Sequence, residues 1–264
     1  MSVVSAKGLA LRFGDRVLWE DLSFELERGE LLAVLGPNGT GKTSLIRILL
    51  GLLEPSSGTV EVCGVPPGKG RSRIGYVPQQ RIFDRELALR GRDLVRLGLD
   101  GHKWGAGRLS AEQRARVDHA LEEVGAAGYA DGPIGRLSGG EQQRLRVAQA
   151  LVSDPALLLV DEPLLSLDLA YQGIITGLLD AHRESAGTPV VFVTHDINPV
   201  LSSVTRVLYL APGSWAIGTP DEVITSETLS ALYGTPVDVL RVRGRVVVVG
   251  TPDDQHVHHV DHDH

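Results

Sequence analysis

Cysteine, aromatic residues and surplus positive charge are all scarce in this 264-residue chain. Each shortage narrows what it can be. Cys63 is the only cysteine, so no internal disulfide and no cysteine-based zinc centre can form. Aromatics make up 5%, which argues against the stacking platforms that hold single-stranded nucleic acid. The net charge is −7, so the basic footprint of a nucleic-acid partner is not expected. No stretch approaches the ~18 apolar residues of a membrane span. Residues Met1–Ala10 lack the apolar core of a secretory signal. Work at a membrane would therefore go through a partner. The 42% hydrophobic content suffices for a sizeable α/β core, in one large domain or two modest ones.

What the chain does have is glycine in a telling place. Gly36-Pro37-Asn38-Gly39-Thr40-Gly41-Lys42-Thr43, followed by Ser44, is a complete phosphate-binding loop. It lies between an apolar strand pattern, Leu31–Leu35, and a helical pattern, Ser44–Leu53. Gly36, Gly39 and Gly41 let the backbone curl so that its N–H groups face an anion, and the following helix points its positive end the same way. Lys42 can reach β- and γ-phosphates, and the Thr43 hydroxyl can ligate Mg²⁺.

The rest of the chain divides by periodicity. Leu9–Phe13 and Leu22–Leu26 alternate as half-buried strands, Thr59–Val62 and Ile74–Val77 read as short strands, and Pro55 and Gly58 stop the loop's helix. From about Asp84 to Leu151 the signal is helical. Ser110 with Gln113 forms a capping box for a helix that stops at Gly125. Ala156–Val160 and Pro189–Val193 are continuous apolar runs, suited to a parallel sheet covered on both faces, with a crossover helix at Gly173–Ser185. Val207–Leu210 and Trp215–Ile217 flank a hairpin turn, Ser226–Leu232 is a short helix, and Val237–Val249 forms a second hairpin around Arg243-Gly244-Arg245. No internal repeat is present. The segment from Thr251 is polar and histidine-rich, and is expected to be disordered.

Two further motifs carry chemistry. The Ala156–Val160 strand delivers Asp161-Glu162 to its C-terminal edge: the first acid can hold Mg²⁺, the second can orient or deprotonate a water. Leu137-Ser138-Gly139-Gly140-Glu141 precedes a strong helix, Arg144–Leu151, where a serine and free N–H groups suit an anion and glycines permit close approach. The similar Leu109-Ser110-Ala111-Glu112-Gln113 lacks the glycine pair and is read as a cap only.

With these residues in hand, the chain resembles the ATP-binding cassette family, the nucleotide-binding subunits of ABC transporters. Leu137–Glu141 is similar to that family's signature, with Glu141 where glutamine is commoner. The remaining motifs then fall in the family's order: Gln79 after Gly75–Pro78 as the Q-loop glutamine, Ser166-Leu167-Asp168 as the D-loop, His195 in Thr194-His195-Asp196 as the switch histidine, and Phe13 where an aromatic stacks on adenine. Phe13 by itself reads equally well as core. Leu164 and Leu165 depart from the hydroxyl residue often found there, without removing a phosphate or metal ligand.

The resemblance covers about residues 3–235 and implies the following. The fold is α/β: a P-loop ATPase core with an antiparallel β subdomain and an inserted helical subdomain at about 85–150. Residues 1–235 form the ATPase domain, and 236–264 add a hairpin and tail. The cofactors are ATP and Mg²⁺. Lys42, Gln79, Glu162 and His195 serve catalysis, and Thr43, Gln79 and Asp161 surround Mg²⁺. Two copies pair head to tail, so that Ser138 and Gly140 of one, with Gly139, Glu141 and Asp168, complete the site at Lys42 of the other. Energy passes to a separate permease through the groove beside Gln79, at the cytoplasmic face of the membrane, with a solute-binding protein as an indirect partner. A soluble cassette of translation or repair, a P-loop kinase and a nucleotide-switched adaptor that does not hydrolyse stay open as alternatives.

Within the family, Ile74–Leu97 and Asp131–Ser138 resemble the ATPases of bacterial manganese, zinc and iron importers; importers of other substrates and exporters remain alternatives. The tail gathers His256, His258, His259, His262 and His264 with Asp261 and Asp263, ligand types that suit Zn²⁺ and its neighbours. The same run reads equally as a tag or an inert solvated tail.

Overall fold

The computed structural model describes residues 2–79, 83–100, 109–165 and 167–250. Ser166 of the D-loop and the five tail histidines lie outside the described residues.

The chain begins with an antiparallel layer. Strands β1 (Val4–Phe13) and β2 (Arg16–Leu26) form a hairpin, β3 (Leu31–Leu35) enters the central sheet, and helix α1 (Lys42–Leu49) follows the phosphate loop. Strand β4 (Ser57–Val62) returns to pair with β1, giving the order β2-β1-β4. The sequence pattern starts the first strand at Leu9, because Gly8 interrupts it. The strand instead runs through Gly8, whose φ of 56° is absorbed at a register shift between Ala6 and Leu9.

Strand β5 (Ile74–Val77) is followed by the helices α2 (Gly91–Asp100), α3 (Ala111–Glu123) and α4 (Gly139–Leu151). The Ser110–Gln113 capping box starts α3 as expected, and Gly125, with φ of 64°, follows its end. Helix α4 begins five residues before the pattern suggests. Two glycines weaken the helical signal there, but Ser138 caps the helix and draws both into its first turn. Similarly α1 spans Lys42–Leu49 rather than Ser44–Leu53: Gly51, at φ of 64°, follows its end.

The core then closes through β6 (Leu157–Asp161), α5 (Leu169–Ala186), β7 (Val190–Val193), β8 (Arg206–Ala211), β9 (Ser214–Gly218), α6 (Pro220–Val223), α7 (Ser226–Tyr233), and a ribbon of β10 (Val237–Val242) and β11 (Arg245–Gly250). The central sheet has the order β5-β6-β7-β3-β8-β9. All its pairings are parallel except β8–β9.

The period-two alternation of β3 divides the interior. Leu32 and Val34 pack with Leu45, Ile46 and Trp19 against the antiparallel layer, while Leu31, Ala33 and Leu35 face Phe192, Leu145 and the helices of the other side. Because β6, β7 and β3 are parallel neighbours, their C-terminal ends, each followed by a chemically loaded residue, emerge along one edge.

Candidate active site

Strand β3 gives onto the phosphate loop, β6 ends at Asp161, β7 leads to His195, and β5 leads to Gln79. The registers Val34↔Val193, Asp161↔Val193 and Val77↔Val160 align these ends. The result is an open cavity of about 950 Å³. It is lined by Phe13, Asn38, Gly39, Gly41, Lys42, Thr43, Ser44, Gln79, Glu162 and His195, together with Arg16, Leu18 and Leu165.

The loop's glycines are needed for stated reasons. Gly36 holds φ of 136°, and a Cβ there would lie 2.0 Å from the Leu210 carbonyl oxygen. Gly41 holds φ of 94°, with the Trp19 indole 2.7 Å from where a Cβ would go. Gly41 is also the N-cap of α1 and supplies no side-chain acceptor. Thr40 is buried and ties the loop by donating to the Pro37 carbonyl at 3.0 Å. Lys42 turns onto the loop and donates to the carbonyls of Gly36 (2.7 Å) and Pro37 (2.8 Å). Burial lowers its pKa from the usual lysine value, opposed by the charges of Glu162 and Asp161. An anion in the loop would relieve that burial cost.

The acids differ. Asp161 is 2% exposed and accepts from the Thr43 hydroxyl at 3.3 Å. Burial raises its carboxyl pKa, and the Thr43 hydrogen bond opposes this in part. A divalent cation beside it would oppose the rise further, so the Thr43 hydroxyl on the cavity wall and the Asp161 carboxylate it donates to fit Mg²⁺ in donor type. Glu162 is half-buried, accepts from the Gln79 amide at 3.2 Å, and sits at φ of 45°. A non-glycine residue in that region costs about 1–3 kcal/mol. The Glu162 N–H bond to the Val193 carbonyl, at 2.9 Å, helps to hold it there. Phe13 is 52% exposed on the cavity wall, so it is not a core residue.

The signature residues are not part of this cavity. Ser138 caps α4: its hydroxyl accepts from the Glu141 N–H at 3.3 Å, and Glu141 accepts from both the Ser138 N–H and hydroxyl at 2.8 Å. Glycine at 140 is explained by a neighbour rather than an open approach. A Cβ there would lie 2.2 Å from the Tyr171 ring. Tyr171 is in turn the residue whose N–H Asp168 accepts at 2.9 Å in capping α5. Gly140 and Asp168 thus both meet Tyr171, the first at its ring and the second at its backbone N–H.

The family model described as ABC transporter matches residues 19–165 of this chain, more than half its length. The chain belongs to the ABC transporter family. It is the family's ATPase, which couples ATP hydrolysis to transport. A Chlamydia pneumoniae protein described as a probable metal transport system ATP-binding protein is 36% identical over 236 residues, covering 89% of this chain and 91% of that protein. The zinc import ATP-binding protein ZnuC of Photorhabdus laumondii is 36% identical over 233 residues, covering 88% and 84%. Among solved structures, a chain described as part of a metal-chelate type ABC transporter in an inward-facing conformation is 30% identical. It superposes with a TM-score of 0.80, covering 96% of this chain and 99% of that one. A cassette solved as a dimer in a post-hydrolysis state with ADP and Pi is 28% identical, with a TM-score of 0.69, covering 82% and 98%. No described helix is long and apolar enough to cross a membrane.

Arg16 and Leu18 line the ATPase cavity without a place among the expected site residues, and Leu165, noted above only as a departure in the turn after Glu162, lines it too. Arg16 was within reach: the Gly14-Asp15 turn pairs it with Phe13, and its guanidinium donates to the Gly39 carbonyl at 3.2 Å. Among the described residues no cluster of three or more His, Cys, Asp or Glu could hold a metal ion.

Proposed function

We propose that this ATPase powers import of a divalent transition metal, zinc, manganese or iron, through a separate permease at the cytoplasmic face of the membrane, supplied by a solute-binding protein. One observation carries the chemistry: a single cavity gathers the phosphate loop, Gln79, Glu162 and His195 over the buried Asp161. The metal cargo is supported by the names of the two 36%-identical relatives.

In this reading Phe13 stacks on the adenine. The loop N–H groups and Lys42 hold the phosphates, with Lys42 exchanging loop carbonyls for phosphate oxygens. Thr43, Asp161 and Gln79 would hold Mg²⁺, which when bound neutralises phosphate charge. Glu162 orients the attacking water and accepts its proton, and His195 stands across the cavity to steady the γ-phosphate. Two copies pair head to tail. Ser138 and the N–H groups at Gly139 and Gly140 of one then reach the nucleotide held by the other, with Glu141 and Asp168 at the joint. The absence of Ser138 and Asp168 from the cavity wall of one chain is what such sharing requires.

The tail histidines are proposed to sense or buffer the cargo metal rather than to hydrolyse ATP. The test is the assembled transporter, with ATPase and uptake measured against Zn²⁺, Mn²⁺ and Fe²⁺. Stimulation by none of these would overturn the cargo assignment while leaving the ATPase intact. Calorimetry should show Zn²⁺ binding by the full chain and not by a chain ending at Gln255. Equal binding by both removes the tail's role.

A further inference from the structure

The ribbon of β10 and β11 presents a face that no described residue covers. Its inner face is anchored at both strands, while Val248 on that face stays 46% exposed and lines a cavity beside the phosphate loop. Val237 and Val246 are buried, the Ser230 hydroxyl accepts from the Val237 N–H at 2.9 Å, and the Ser226 hydroxyl accepts from the Val239 N–H at 2.9 Å. Asn198 grips the second strand at both backbone groups of Val246, donating to its carbonyl at 2.9 Å and accepting from its N–H at 2.8 Å. Asn198 lies three residues beyond His195, so the ribbon is fastened to the switch segment of the ATPase site.

The register puts Asp238 opposite Val249, Leu240 opposite Val247, and Val242 opposite Arg245, all on the outer face. The four aliphatic side chains there are 45–55% exposed. Contiguous exposed apolar faces are where interaction sites are found. Arg245 continues it into a groove shared with Asp196, Gln172 and Leu169, the last 75% exposed at the start of α5 beside Asp168. The face therefore runs into the D-loop end of the molecule, where the second cassette is proposed to sit.

We propose that the outer face of this ribbon packs against the same face of a second copy about a two-fold axis. It would form a second contact between the paired ATPases beside the one made through ATP, and it rests on the head-to-tail pairing proposed above. The face is self-complementary. It is acidic at the Asp238 end, basic at the Arg245 end and aliphatic between. An antiparallel two-fold stacks Leu240 on Leu240 and brings Arg245 of each copy diagonally across from Asp238 of the other. Two other occupants fit less well. Residues 251–264 contain only Val257 and Val260 as aliphatics, too few to cover four. The permease is expected beside Gln79, after β5, the sheet edge opposite the β8–β9 side that carries α7 and the ribbon. A ribbon contact is smaller than a self-sufficient interface. Its effect is to tether the cassettes, keeping their effective concentration high after nucleotide leaves.

The test uses the full chain. With Cys63→Ser and Leu240→Cys, mild oxidation or a short bis-maleimide should cross-link two copies with or without ATP, whereas Cys63→Ser with Glu61→Cys, on exposed β4, should not. In a Glu162→Gln background, Arg245→Asp should weaken ATP-driven association about tenfold by setting like charges against each other. Adding Asp238→Arg should restore it. If ATP still assembles Ser138-dependent dimers but Leu240→Cys never cross-links and the charge swap does nothing, the ribbon contact is overturned and the shared ATP site stands. If cross-links form without any ATP- and Ser138-dependent association, the ribbon contact stands and the shared site fails.

Discussion

Two helices of this ATPase begin beside glycines, and they begin differently. Helix α1 starts at Gly41 with no side-chain acceptor, so its first N–H groups are available and the loop around them is fixed by Thr40 and Lys42. Helix α4 starts at Ser138 with a full capping box, and its orphan N–H groups are partly met by the helix's own Ser138 and Glu141. A cap of this kind is worth about 0.5–2 kcal/mol. The first start leaves its N–H groups to an anion rather than to a side-chain cap. The second is capped by its own side chains, and under the proposed pairing an arriving phosphate competes with Glu141. Under the proposed head-to-tail pairing, this is the pattern of a permanent nucleotide seat on one chain and an intermittent one offered by the other.

The sharpest break between the two would come from the seat itself. Glu162→Gln should retain ATP binding and lose about 10²–10⁴-fold in turnover, the range for a positioned general base. Lys42→Ala should instead weaken nucleotide binding directly. Steady-state ATPase and equilibrium nucleotide titration separate the two variants, and unchanged turnover in Glu162→Gln would remove the role assigned to it. Next in size is Ser138→Arg. It should leave nucleotide binding to the single chain intact but prevent ATP-driven pairing of the Glu162→Gln protein, read by sedimentation with and without ATP. Pairing that survives Ser138→Arg would mean that α4 does not meet the second nucleotide.

How far these regions could be read from sequence follows the same division. The seat was legible because its chemistry is local: loop, strand and helix are contiguous, and the acids sit at the end of an apolar run whose burial is plain. Helix α4 was misplaced at its start, because glycine's low helical propensity hides a cap that depends on side-chain geometry. The reason for Gly140 was invisible, since Tyr171 is brought to it by the fold. Arg16 shows a middle case, set by a two-residue turn that pairs it with Phe13. The apolar outer face of the ribbon was present as an alternation but had no meaning until the inner face was seen to be fixed by Ser226, Ser230 and Asn198.

A smaller effect tests the joint between signature and D-loop. In Gly140→Ala the new methyl would collide with the Tyr171 ring, and Arg144 lies over that ring at 5.7 Å from its centroid, limiting escape on that side. Overpacking of this sort costs typically about 1–3 kcal/mol. Thermal or urea unfolding should show that loss, and Gly140→Ala with Tyr171→Leu should recover most of it. A Gly140→Ala chain as stable as the parent would mean that Tyr171 moves freely and does not couple Gly140 to Asp168.

The smallest change isolates the competition at α4. In Glu141→Gln the side-chain oxygen can still accept from the Ser138 N–H, so the capping geometry survives. The negative charge near the helix N-terminus is lost, costing about 0.3–1 kcal/mol of helix stabilisation. Under the proposed pairing, the same charge stands where the phosphate of a second copy's ATP arrives. Its removal should therefore strengthen ATP-driven pairing of the Glu162→Gln protein by about two- to fivefold, the scale of a partly screened charge pair. The gain should shrink as salt is raised. Sedimentation across a salt series reads both effects at once. Weaker pairing in Glu141→Gln would show that the carboxylate's main service is to hold Ser138 in position, and that the signature helix meets its phosphate already arranged rather than in exchange for its own cap.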